Sequence, residues 1–140
     1  MTTPLTPQAR LRAAKIIHGS LMAGVIVFVL VTAWVHRVAP PLVQGDFVRV
    51  LRYVGLALFV GAAGLLRVFP RPDSSPTSGQ SPDQWWAASL ARLIMRWALM
   101  EGAALFNAVV WFIGRERIVL VPVGLALLVL FVLRPSRSLE

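Results

Sequence analysis

The chain has 140 residues, 57% of them hydrophobic and 14% charged, with a mean hydropathy of +0.72. A soluble domain averages roughly 45–50% apolar and about 25% charged residues, and one this short leaves much of its surface in water; a water-soluble core is excluded, and a single membrane domain over residues 1–140 is expected. The net charge of +8 comes from 14 Lys+Arg against 6 Asp+Glu, with no basic cluster apart from the ends of apolar runs, which predicts orientation and anionic-lipid contact and no nucleic-acid partner.

Thr6-Pro7-Gln8 reads as a helix start, with Thr6 as N-cap and Pro7 at the first helical position. Arg10, Arg12 and Lys15 precede twenty uncharged residues, Ile16 to Val35. A signal-peptide apolar region is about 7–15 residues, so a retained first span over about 10–37 is expected. Pro40-Pro41 ends it, and Gly45-Asp46 offers the next N-cap. In the second span, about 47–69, the uninterrupted apolar part from Tyr53 to Leu66 has only 14 residues, or roughly 21 Å. Arg52 and Arg67 bracket it and can snorkel outward.

Residues 70–82 (PRPDSSPTSGQSP) read as a solvated polar loop. Ser81-Pro82-Asp83-Gln84 has the form of a capping box, and Trp85-Trp86 follow where an interfacial aromatic belt belongs. The third span, about 84–114, passes Arg92 and Arg96 and ends at Gly114. A tight turn, Arg115-Glu116-Arg117, leads to a fourth span, about 117–134, closed by Arg134-Pro135. The apolar runs lack period-two alternation and outrun barrel strands. The expected fold class is therefore all-α: a polytopic transmembrane bundle of four helices with antiparallel neighbours. Nine basic residues fall on the N-terminal segment, the long loop with its flanks and the C-tail, against five on the first and third connections. The positive-inside bias puts both termini and the 70–82 loop in the cytoplasm.

Glu101 lies near the middle of the apolar stretch Leu93 to Ile113, where an ionised carboxylate costs on the order of 3 kcal/mol. It is expected to be neutral, paired, or turned to a hydrated pocket. Trp97, Ala104, Ala108 and Trp111 share its stripe on the helix, and the alanines let another backbone approach closely. The matching surface is expected on the second helix at Ala57, Gly61 and Gly64, with Gly61 at the depth of Glu101. Two readings of Glu101 stay open. It is a proton- or cation-binding carboxylate between these helices, or it is interhelical hydrogen-bond glue, worth about 0.6 kcal/mol on average.

His18 and His36 lie at opposite ends of the first helix, and no other helix carries a histidine. Bis-His haem ligation within one chain is thereby excluded. Both are read as interfacial residues, with a cofactor shared with another chain left open. Asn107 is read as a packing hydrogen bond off the Glu101 stripe, and Ser20 with Gly24 and Gly19 with Ala23 as small-residue spacing for helix packing. There is no cysteine, no HExxH, no nucleophile with a nearby base and no Gly-rich phosphate loop. No enzyme activity, cofactor or metal is expected.

GLALFVGAAGLLR, the polar loop and ALMEGAALFNAVV together resemble the helical hairpin of rotary ATP synthase c subunits, over the segment Gly55 to Gly114. The resemblance implies a small-residue helix, a cytoplasmic loop and an ion-binding carboxylate at Glu101. The chain also resembles small four-span bacterial membrane proteins of unknown role. Its loop is longer than that of the c subunits, and two further helices flank the hairpin. The expected function is a non-catalytic accessory or scaffold subunit of a larger membrane complex, in contact with lipid and with other membrane subunits or copies of itself. The alternative is a proton- or cation-binding subunit. An arginine- and alanine-rich chain with one lysine points to a bacterial cytoplasmic membrane.

Overall fold

A computed structural model describes residues 6–43, 45–69, 76 and 78–135, and among them there are four α-helices and no strand. They are α1 (Pro7–Val38), α2 (Asp46–Val68), α3 (Pro82–Gly114) and α4 (Leu120–Val132), the last preceded by a turn of 3-10 helix (Arg117–Val119). The first three are long and apolar enough to cross a bilayer, whereas the apolar helix Arg117–Val132 is shorter. Most of the polar loop expected over 70–82 lies outside the described residues.

Local chemistry sets the helix ends. Thr6 caps α1 by accepting from the Ala9 amide at 3.3 Å, with Pro7 next in line. Such a cap contributes about 1 kcal/mol. Ser81 and Gln84 close a reciprocal capping box on α3, each bond 3.3 Å. Gly45 caps α2 through backbone geometry alone, at φ 82°, a left-handed conformation that glycine adopts without a steric penalty. The last carbonyls of α3 would be orphans by position. Arg115 donates its amide to Trp111, the His36 ring meets the Phe112 carbonyl at 3.0 Å, and the amides of Leu42 and Val43 both reach Ile113 at 3.1 Å. The α1 end and the α1–α2 connection are therefore pinned to the α3 terminus.

α3 is the hub: it packs against α1, α2 and α4, while α1 and α2 have little direct contact. Buried positions recur every seven residues, the repeat of coiled-coil-type packing. On α1 they are Leu11, His18, Val25 and Thr32, and on α2 Val48, Gly55 and Ala62. On α3 the same spacing runs through Leu93, Met100 and Asn107. α2 lies antiparallel to α3, with Val48 against Gly114, Gly55 against Asn107, and the Leu66 and Phe69 carbonyls against Arg96. α4 is also antiparallel, since Trp97 donates to the Leu133 carbonyl at 2.9 Å. α1 runs parallel to α3, from an Arg10–Asp83 ion pair at their starts to the His36–Phe112 contact at their ends.

Apart from Arg10, Arg12 and Arg92 near the starts of α1 and α3, the described basic residues fall into two layers. Lys15, Arg67, Arg96 and Arg134 mark one end, and Arg37, Arg49, Arg52, Arg115 and Arg117 the other. Arg96 to Gly114 along α3 covers about 27 Å at 1.5 Å per residue, close to the hydrocarbon thickness of roughly 30 Å. Residues 82–95 then extend roughly 20 Å beyond the Arg96 layer. Trp85 and Trp86 lie in that extension, each only 8% exposed and part of the core. The expectation of an interfacial aromatic belt at this point is corrected: both side chains are buried in the core, beyond the Arg96 layer. Trp34, 63% exposed near the opposite layer, is the described tryptophan that faces outward, and Phe47, Tyr53 and Phe131 are exposed as well.

Candidate functional site at the seam of α1 and α3

The polar groups of α3 divide between two faces. Met100, Ala103 and Asn107 are buried, and Asn107 is turned to α2, where its Nδ2 donates to the Gly55 carbonyl at 2.9 Å and to the Ala103 carbonyl at 2.8 Å. A Cβ on Gly55 would lie 2.5 Å from Asn107 Oδ1, so the contact depends on glycine. Arg96, 6% exposed, reaches the α2 terminus, donating to Leu66 and Phe69 at 3.2 and 2.9 Å. The Asn107 Nδ2 and Arg96 donors are satisfied by backbone and hold the hairpin together, while Asn107 Oδ1 is buried with no partner among the described residues. Asn107 is the packing hydrogen bond expected of it, off the Glu101 stripe.

Glu101 is one residue beyond Met100, about 100° further round the helix, and it faces α1. Gly24 is its neighbour there: a Cβ on Gly24 would lie 4.0 Å from Glu101 Oε1. The carboxylate is half-buried and makes no hydrogen bond or ion pair among the described residues. It stands about 7–8 Å along the axis from Arg96 and about 20 Å from Gly114. Its depth is thus nearer the Arg96 layer than the expected mid-span position, with the Arg96 head directed away from it. Ala104 and Ala108 on its stripe are fully buried.

The expected pairing with α2 is overturned. Ala57, Gly61 and Gly64 are exposed on the outer side of α2, and a Cβ on Gly61 or Gly64 would meet nothing within 4 Å. The register of the hairpin does bring Gly61 level with Glu101, but on the wrong face. The physical reason lies in the two polar anchors of α3: Asn107 and Arg96 need α2 carbonyls, and turning them to α2 rotates Glu101 away from it. Gly55 and Ala62, seven residues apart, provide the close approach instead.

One turn from Glu101, Trp97 is fully buried and its ring lies 4.8 Å from that of His18. His18 is 6% exposed, and its Nδ1 is buried without a hydrogen-bond partner. His36 likewise meets Trp111, centroids 4.8 Å apart. Both histidines lie close to the basic layers, and both rings turn inward onto α3. The seven-residue series Leu11, His18, Val25, Thr32 was the available signal for His18. Gly19, Ser20, Ala23 and Gly24 are exposed, so the small-residue spacing on α1 serves no helix contact within the chain beyond the approach of Gly24 to Glu101.

The seam thus holds an acid within an apolar helix and, beside Trp97 one turn earlier on α3, a buried imidazole, both with polar atoms unmatched among the described residues. Among the described residues no three His, Cys, Asp or Glu side chains gather with metal-ligand spacing. An acid so placed can exchange a proton, hold a monovalent cation, or accept a hydrogen bond from outside the chain. No known protein family, curated protein or solved structure matches this chain, so its function must be read from its own helices and this seam.

Proposed function

We propose that the chain is a non-catalytic accessory or scaffold subunit of a larger membrane assembly, and that Glu101 is the group through which it meets its partner. The observation that carries this reading is the unmatched carboxylate: Glu101 is half-buried between α1 and α3 with no donor among the described residues. Glue within the chain would require such a donor. An unmatched acid in hydrocarbon is costly and marks a functional contact. A donor on a neighbouring subunit satisfies it. The apolar flank of α1, with Ile26, Val27 and Leu30 exposed, lies open to lipid or to such a neighbour.

The same openness favours a second reading, a proton- or cation-binding carboxylate. Both readings are tested with the full chain in its own membranes. Under the first, extraction in a mild detergent yields an assembly larger than one chain, Glu101→Gln preserves it, and Glu101→Leu disperses it, because the amide still accepts a hydrogen bond and leucine does not. A single-chain particle from native membranes, unchanged by Glu101→Leu, would overturn it. Under the second, a hydrophobic carbodiimide labels Glu101, and sodium or protons change the labelling rate.

The topology belongs to the same proposal: four crossings, with both termini and the 70–82 loop in the cytoplasm of a bacterial inner membrane. Arg117–Val132 supports a fourth crossing, because 16 residues flanked by Arg117 and Arg134 need only modest snorkelling to meet both interfaces. A cysteine at Ser78 is expected to react only after the membrane is permeabilised. Reaction from the outside of intact cells would reverse the orientation.

A further inference from the structure

At the layer opposite the start of α3, a cavity of about 450 Å³ is lined by Ala33, His36, Arg37, Trp111, Arg115 and Arg117. Its walls come from the end of α1, the end of α3 and the turn into α4, the first two held together by the His36–Phe112 contact. The lining carries three guanidinium groups and no acid. The neighbouring acids are already engaged: Asp46 with Arg49 at 2.9 Å and Glu116 with Arg52 at 3.0 Å. Arg37, Arg115 and Arg117 make no ion pair among the described residues.

Arg115 is the telling member. Its Nε and Nη2 are buried and find no acceptor, although a guanidinium presents a planar fork of donors suited to an oxyanion. It also holds φ 57°, the left-handed region, and is the one described non-glycine residue to do so. Glycine is the usual residue at that helix-end position, so an arginine there holds its side chain against the backbone's preference. Trp111 and Ala33 form the apolar part of the wall, and Trp111 is 8% exposed. His36 uses Nε2 on the Phe112 carbonyl, which leaves Nδ1 for another partner.

We propose that this cavity binds a phosphate-type oxyanion, held by Arg115 with Arg37 and Arg117 around it. A phosphate diester or monoester in the cavity answers the three guanidinium charges, and a turn of the Arg115 side chain toward it gives the now-buried Nε and Nη2 the acceptors they lack, in the bidentate geometry that arginine prefers. The apolar wall and the position at a membrane interface suit a lipid headgroup, and a free phosphate offers the same chemistry. This site stands apart from Glu101, at the other layer, and does not rest on the function proposed for the seam.

The test uses the full-length protein in detergent with two probes: phosphatidylglycerol against phosphatidylcholine by native mass spectrometry, and inorganic phosphate by calorimetry. The informative variants are Arg115→Gly, which the backbone accepts at φ 57°, and Arg117→Gln. Arg49→Gln, at the same layer but outside the cavity, is the control. The wild type is expected to retain the anionic lipid or to bind phosphate. Each cavity variant is expected to bind about tenfold more weakly or worse, with the control unchanged. Retention of the lipid alone assigns the site to a headgroup, and binding of phosphate alone to a soluble anion. No preference for either anion in the wild type, or equal loss in Arg49→Gln, overturns the proposal.

Discussion

The two seams of α3 are built on opposite terms. Against α2, the helix is closed: Gly55 and Gly114 bring backbones together, and Asn107 and Arg96 spend their donors on carbonyls of the same hairpin. Against α1, it is open: rings meet rings at His18–Trp97 and His36–Trp111, and Glu101 faces an exposed glycine with its oxygens unmatched. A polar residue within an apolar span is thus not by itself a site. Asn107 and Glu101 are less than two turns apart on one helix, yet one is structural and the other is available. What separates them is whether a backbone acceptor or donor has been brought within reach.

Overpacking the closed seam should produce the largest effect. Gly55→Val drives a side chain into Asn107, and Gly114→Val meets Val48 in the same way. Each is expected to cost about 3 kcal/mol, the upper end for overpacked cores, as measured by denaturant unfolding in mixed micelles. Gly61→Val on the outer face of α2 should change stability by less than about 0.5 kcal/mol. Equal losses at Gly55 and Gly61 would break the distinction between the two faces of α2. Asn107→Leu comes next. It removes the bonds to Gly55 and Ala103 and should cost about 1 kcal/mol, within the range for hydrogen bonds between membrane helices.

At the open seam, stability should hardly respond. Glu101→Gln is expected to unfold within about 0.5 kcal/mol of wild type, because no bond within the chain is lost, while adduct formation with a hydrophobic carbodiimide disappears. A loss as large as that of Asn107→Leu would show that Glu101 has a donor within the chain. The smallest effect is expected at Gly24. An alanine Cβ there would sit at ordinary contact distance, 4.0 Å, from Glu101 Oε1, and should leave both stability and labelling almost unchanged. Gly24→Leu should slow labelling with stability still close to wild type, which sharpens the claim that Glu101 is reached from the α1 side.

Much of this architecture was local and therefore legible in the chain. Thr6, Pro7, the Ser81–Gln84 box and the Pro40-Pro41 break act on backbone groups within a few residues of themselves, so helix starts and stops follow from short motifs. The apolar runs between arginines give α1, α2 and α3 their membrane-like character for the same reason. The faces of those helices were another matter. In a water-soluble bundle the apolar stripe announces which side is buried. Here lipid is as apolar as the protein interior, so Gly61 facing hydrocarbon and Gly55 facing α3 look alike in sequence. Their tertiary packing separates them: the donors of Asn107 and Arg96 find carbonyls on α2, that of Gly55 among them, and a single rotation of α3 satisfies both. That rotation buries Gly55 and Ala62, leaves Ala57, Gly61 and Gly64 outside, and turns Glu101 to Gly24. Long-range hydrogen bonds in an apolar medium, not hydrophobic contrast, choose the faces of this protein.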